Sequence, residues 1–83
     1  MIAMLRPKVL KVTPKEDYTL LVEYENNEKK IFDVKPYFNF KPFIELKNLV
    51  LFKTVKVGGL SIEWLNGQDI CPDDLYYNSV SVN

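Results

Sequence analysis

Histidine is absent from this 83-residue chain, and cysteine, tryptophan and arginine each occur once. Without histidine there is no Ser-His-Asp arrangement and no histidine-bearing zinc site. The side chain that most often serves as a general base near neutral pH is missing too. A single cysteine cannot close an internal disulfide, which fits a reducing, cytoplasmic setting. No apolar run approaches the roughly 20 residues that span a bilayer, so no membrane partner is expected. Met1–Arg6 shows no apolar core followed by a small-residue cleavage site, so no secretory signal is expected.

Basic residues are also missing from the whole C-terminal third. All eleven lie at or before Lys56 beside seven acidic ones, a balance of +4. Residues 57–83 hold four acidic side chains and no basic one, a balance of −4. Ten of the eleven cations are lysine, with Arg6 the exception. Bidentate recognition of phosphates and bases usually falls to arginine forks, so the lysine bias points to solvation. The segregation has two readings: one neutral particle once folded, or an acidic C-terminal surface that docks a basic partner.

What is present suits one small domain over residues 1–83 with its core at about 7–77. Apolar residues make up 47% and aromatics 13%, too many for a disordered chain. Pro7–Thr13 reads as a strand bounded by Pro7 and Pro14. Tyr18–Glu25 and Lys29–Val34 read as a hairpin. A two-residue loop at Asn26-Asn27 would split its apolar residues between faces. A three-residue loop gathers Leu20, Val22, Tyr24, Phe32 and Val34 on one side, with Glu23, Glu25, Lys29 and Asp33 opposite, and is the register expected.

Short helical turns are expected at Pro36–Phe40 and Pro42–Lys47, then a helix over 49–53 capped by Asn48. Thr54–Val57 and Leu60–Leu65 form a second hairpin with Gly58-Gly59 as its turn. That arrangement puts Val55, Val57, Leu60, Ile62 and Trp64 on one face, with Lys56, Ser61 and Glu63 on the other. Ser79–Asn83 reads as a frayed end or a short edge strand. The fold class is α+β: two antiparallel β-hairpins plus an N-terminal strand, with short helices packed on the sheet.

Few residues suggest chemistry. Cys71 precedes Pro72-Asp73-Asp74 and falls at the expected N-cap of the last helix, where the dipole favours a thiolate. Asp73 and Asp74 oppose that, so the thiol reads as a small residue in a capping position. Asp69, Asp73 and Asp74 match no calcium-loop or metalloprotease spacing and read as carboxylates at a helix N-terminus. Tyr37, Phe38, Phe40 and Phe43 read as core material rather than a base-stacking platform. Of Tyr76 and Tyr77, one is expected to pack and the other to face out. No catalytic, cofactor-binding or metal-binding residue is assigned.

The ending Trp64-Leu65-Asn66-Gly67-Gln68-Asp69-Ile70, then Pro72-Asp73 and Leu75-Tyr76, resembles the W-x-N-G-x-D-[IL]-x-P ending of the small bacterial domain-of-unknown-function family 2442. Tyr18-x-Leu20, Phe32-Asp33-Val34, Phe43, Leu46, Asn48 and Phe52 agree with it in order. The resemblance implies a compact α+β domain with Trp64, Asn66, Gly67, Asp69, Pro72 and Leu75 as its structural signature. Asn27 departs from it where glycine is usual, and Cys71 where a polar capping residue is usual. Some members of that family precede a helix-turn-helix DNA-binding domain, and others are encoded beside a small partner in toxin–antitoxin-like arrangements. This chain is too short to hold the helix-turn-helix as well.

The expectation is a non-enzymatic interaction domain, the antitoxin-like component of a small two-protein system, that binds a small protein or itself. Asp73, Asp74 and Tyr77 are its candidate contacts. Two alternatives stand beside it. One is an accessory domain of DNA-binding regulators using Lys8, Lys11, Lys29, Lys30 and Lys35. The other is a cysteine-dependent activity at Cys71.

Overall fold

Three stretches of the chain carry an Asx residue followed by one that must turn left-handed, and all three become the same loop. The computed structural model describes residues 6–82; the readings placed on Met1–Leu5 and Asn83 lie outside them. In the first loop, Lys15 and Thr19 face each other, Tyr18 N–H donates to the Lys15 carbonyl, and Tyr18 has φ 66°. In the second, Tyr24 faces Glu28, Asn27 N–H donates to the Tyr24 carbonyl at 3.0 Å, and Asn27 has φ 72°. In the third, Trp64 faces Gln68, Gly67 N–H donates to the Trp64 carbonyl at 2.9 Å, and Gly67 has φ 91°.

The middle residue locks each loop. Asp17 Oδ1 accepts the Thr19 N–H, Asn26 Oδ1 the Glu28 N–H, and Asn66 Oδ1 the Gln68 N–H, at 3.1–3.2 Å. Such Asx bonds favour the turn, and a left-handed third residue matches the twist of the flanking strands. Tyr18 is the costly member, because a bulky side chain rarely holds positive φ.

These loops organise two antiparallel sheets. The first holds β1 (Val9–Pro14), β2 (Thr19–Tyr24), β3 (Lys29–Asp33) and, at its edge, β7 (Val80–Ser81), in the order β1-β2-β3-β7. The second holds β4 (Lys56–Gly58), β5 (Ser61–Glu63) and β6 (Asp69–Ile70), in that order. Between β3 and β4 run α1 (Lys41–Ile44), α2 (Leu49–Phe52) and 3-10 turns at Lys35–Asn39 and Glu45–Lys47. A third helix, α3 (Pro72–Tyr77), joins β6 to β7. The α+β class and the expected elements are present, and β6 is one more than the sequence suggested.

The first hairpin takes the three-residue register. Leu20 sits opposite Phe32, and Leu20, Val22, Tyr24, Phe32 and Val34 are all buried. Lys30 shares their face and is only 8% exposed, with its amine led out to the Tyr76 carbonyl. β1 carries a bulge between Val9 and Lys11 that turns Leu10 to solvent.

The second hairpin corrects the expected turn. Gly58 stays in the ladder opposite Ser61, so Gly59-Leu60, not Gly58-Gly59, closes the hairpin. Only Gly59 takes positive φ, at 56°, as a II′ turn requires. The shift is two residues, so the alternation survives: Val57 pairs with Ile62, with Lys56 opposite Glu63. Leu60 is lifted into the turn and is 68% exposed instead of buried, while Ser61 on the other face is buried.

Trp64, 1% exposed, belongs to the buried core. Its ring lies 6.1 Å from Phe52, and its indole N–H donates to the Phe52 carbonyl at 2.9 Å. Asn48 caps α2 as expected, its Oδ1 accepting from Val50 N–H at 3.0 Å. Tyr18 packs edge-on against Phe38 and Phe52 and donates its hydroxyl to the Lys47 carbonyl. The aromatic run largely joins the core, with Tyr37, Phe38 and Phe43 packed against it. Phe40 does not: it is exposed, because its extended backbone joins two helical turns and points the ring away.

Two stability changes follow. Gly67→Ala should cost about 1 kcal/mol, since alanine pays for a left-handed backbone, whereas Asn27→Gly should stay within about 0.5 kcal/mol. Trp64→Phe should lose more, about 1–3 kcal/mol from the abandoned Phe52 carbonyl plus the lost ring volume. Urea unfolding of the three variants ranks them.

Candidate interaction site

The last helix is built by its own first residues. Pro72 at the first position has no N–H to leave unpaired, and Asp73 and Asp74 complement the positive end of the helix. Cys71 occupies the N-cap, exposed, and its side chain makes no capping hydrogen bond. Asp69 is not part of that cap. It lies in β6 opposite Glu63, because the loop after Trp64 returns the chain for two ladder residues before the helix starts. The sequence reading of Asp69 as a helix-capping carboxylate is thereby corrected.

Leu75 anchors α3 from below with no exposed area. Tyr76 turns inward and packs edge-on against Tyr24 at 5.2 Å, while Tyr77 is 64% exposed. One tyrosine packs and the other faces out, as expected. Asp73, Asp74 and Tyr77 thus share one short helix on the surface. The remaining signature residues hold the fold: Trp64 in the core, Asn66 and Gly67 in the third loop, Asn66 Nδ2 donating to Glu45 at 2.9 Å.

The charge map changes on folding. Arg6 Nη1 reaches Asp73 Oδ1 at 3.2 Å, so the lone arginine answers one of the two helix carboxylates. Asp74 makes no ion pair among the described residues. A polar cluster lies beneath α3. Tyr76 donates its hydroxyl to Glu28 at 2.5 Å, and Asn26 Nδ2 donates to the same carboxylate at 2.7 Å. Lys30 Nζ donates to the Tyr76 carbonyl at 2.6 Å and stands 3.8 Å from the centre of the Tyr76 ring.

This cluster moves its own titrations. The Tyr76 hydroxyl, then Asn26, hold the Glu28 carboxyl below its ordinary range. The same bond to Glu28 raises the Tyr76 phenol. Tyr24 is raised chiefly by burial, with Tyr76 and Glu28 adding to it, and its buried hydroxyl has no hydrogen-bond partner among the described residues.

The five lysines weighed for phosphate contact are not gathered into one free stripe. Lys30 is buried and spent on Tyr76, so it cannot serve. Lys35 pairs with Asp33 at 3.0 Å and also donates to the Asp17 carbonyl. Lys11 and Lys29 line one open cleft of about 550 Å³, but Glu23 and Glu28 line it with them. A smaller hollow of about 260 Å³ includes Ser61, Glu63, Asp69 and Cys71. Among the described residues, no three His, Cys, Asp or Glu side chains stand together as a metal site. No described helix is long and apolar enough to cross a membrane.

Two contacts of this region escaped sequence reasoning. Lys30 falls on the apolar side of β3 in the register already chosen, so alternation alone could have placed it. The partnership of Tyr76 with Glu28 joins residues 48 apart and left no local signal.

A depressed carboxylate stabilises the fold above its unfolded value and loses that contribution as pH falls through its folded value. Tyr76→Phe removes the main cause at Glu28. The loss of stability below about pH 4.5, the ordinary value for this group, should therefore be shallower in that variant. Denaturant midpoints measured from pH 6 down to about pH 3 check it; parallel curves for the variant and the parent would refute it.

No curated protein and no solved structure matches the chain. A family model does, over residues 9–81, and the chain belongs to that family, described as Protein of unknown function (DUF2442).

Proposed function

We propose that this domain is a non-enzymatic interaction module, cytoplasmic in setting, that binds a small basic protein through α3. The observation that carries the reading is that Asp74 and Tyr77, three residues apart, are both exposed on a helix anchored by buried Leu75. An aromatic ring of large area beside a carboxylate is the usual make-up of a contact centre with a charged rim. Leu75 and the Tyr76–Tyr24 contact hold the helix in place before a partner arrives, which lowers the ordering cost of binding.

Charge supports the same direction. Residues 57–83 contain no basic side chain, and Arg6 offsets only Asp73, so α3 keeps a negative excess. A basic partner would approach it without meeting a like charge. The antitoxin-like role in a two-protein system is the finer form of this reading. The exposed, unpaired Cys71 is compatible with a reducing compartment.

The test uses surface variants. Tagged protein and the product encoded beside it are co-expressed and co-purified, with Asp74→Lys and Tyr77→Ala as variants and Lys41→Ala as control. Each α3 variant should weaken binding at least tenfold, about 1.4 kcal/mol, and the control should not. Binding that ignores both α3 substitutions, or a partner that fails to bind the parent, would defeat the proposal.

A further inference from the structure

The stretch from Asn78 to Val82 contains no charged residue, and Val80 and Val82 are 68% and 52% exposed. β7 pairs with β3 on one side and ends the four-stranded sheet on the other. The direction of its free groups follows from the ladder. Val82 N–H donates to the Lys29 carbonyl at 2.9 Å, so Lys29 and Val82 form a hydrogen-bonded pair. Bonded pairs alternate along an antiparallel ladder, so Ile31–Val80 bonds as well and Lys30–Ser81 does not. The N–H and C=O of Ser81 therefore point away from the sheet.

Open edges in natural sheets are blunted by lysine, proline, bulges or a covering element. β7 has no lysine, proline or bulge, and Val80, Ser81 and Val82 are all exposed. The other end of the sheet differs, since β1 lies against β4 and β5.

We infer that β7 pairs antiparallel with β7 of a second copy, about a twofold axis through Ser81. Val80-Ser81-Val82 reads the same in both directions, so the axis sets each Val80 beside Val82 of the other copy. On the outer face, Val80 continues a row formed by Leu21 and Ile31, and that row then meets a second apolar side chain. The pairing opposes no like charges. Lys29 neighbours Val82 within its own sheet, and Lys30 directs its amine to Tyr76. The inference rests on reading the domain as an interaction module, but it uses a different surface from α3 and a different partner.

Sedimentation of the untagged chain from about 10 µM to about 1 mM reads it, the range suited to a small interface. The weight-average mass should climb from one chain toward two. Val82→Lys, which leaves the backbone donors intact, and Ser81→Pro, which removes the outward N–H, should each weaken association at least tenfold. Asp74→Lys should leave it unchanged. Exchange of the Ser81 amide should slow as concentration rises in the parent chain. A monomer across the range overturns the inference, as does a dimer indifferent to Val82→Lys or a Ser81 amide whose exchange ignores concentration. A monomer would leave the α3 reading standing, because that is judged by capture on α3 variants.

Discussion

Left-handed residues at the third position of three hairpin loops set the register of three of the five described ladders in this protein. Side chains alternate along a strand, so a slip of one residue would turn Leu20, Val22 and Phe32 from the core to water. Asn27 and Gly67 supply the required backbone at little cost, and Asn26 and Asn66 accept the bond that closes each loop. Tyr18 supplies it at higher cost. Its compensation is visible: the ring packs on Phe38 and Phe52, and the hydroxyl holds the Lys47 carbonyl. With these contacts a residue of poor local conformation fastens the helical segment to the sheet.

That fastening matters because helices of four residues do not form alone. α1 and α2 are held by what they touch. Asn48 satisfies the first donors of α2, and Trp64 takes the carbonyl of its last residue, Phe52. Thr54 then bridges, accepting from Leu65 N–H at 3.1 Å and donating to the Leu51 carbonyl at 2.6 Å. Through these bonds the second sheet and the helical segment form one unit, with Trp64 at its centre. Unfolding α2 would strip the indole of its acceptor, so the two fail together.

Much of this was legible in the residues. Binary pattern alone chose the three-residue loop of the first hairpin, and Asn48 announced its helix. Trp64 was placed in the core by alternation with Ile62. Features that joined distant segments were not legible. Gly58-Gly59 offers two adjacent turn positions, and the ladder uses Gly59-Leu60, with Gly58 opposite Ser61. β6 is two residues long, too short for any periodicity to show, so Asp69 looked like part of the helix start. Arg6 lies 67 positions from Asp73, and nothing local to either predicts that they meet.

The charge segregation of the sequence is therefore partly undone by the fold, and where it survives is informative. Arg6 is drawn onto Asp73 and Lys30 is drawn under Tyr76, so cations of the N-terminal half serve the C-terminal helix. After those pairings two surface features of the C-terminal third stand out, and they are chemically unlike. Asp74 and Tyr77 offer charge and a ring on α3, where the proposed partner would gain from opposite charge. β7 offers main-chain groups and valines without charge, where the best complement is another uncharged strand. A surface with one kind of complementarity would suit one partner. The two kinds proposed here, on adjoining elements, would suit two different ones, and each can be removed by a substitution that leaves the buried residues untouched.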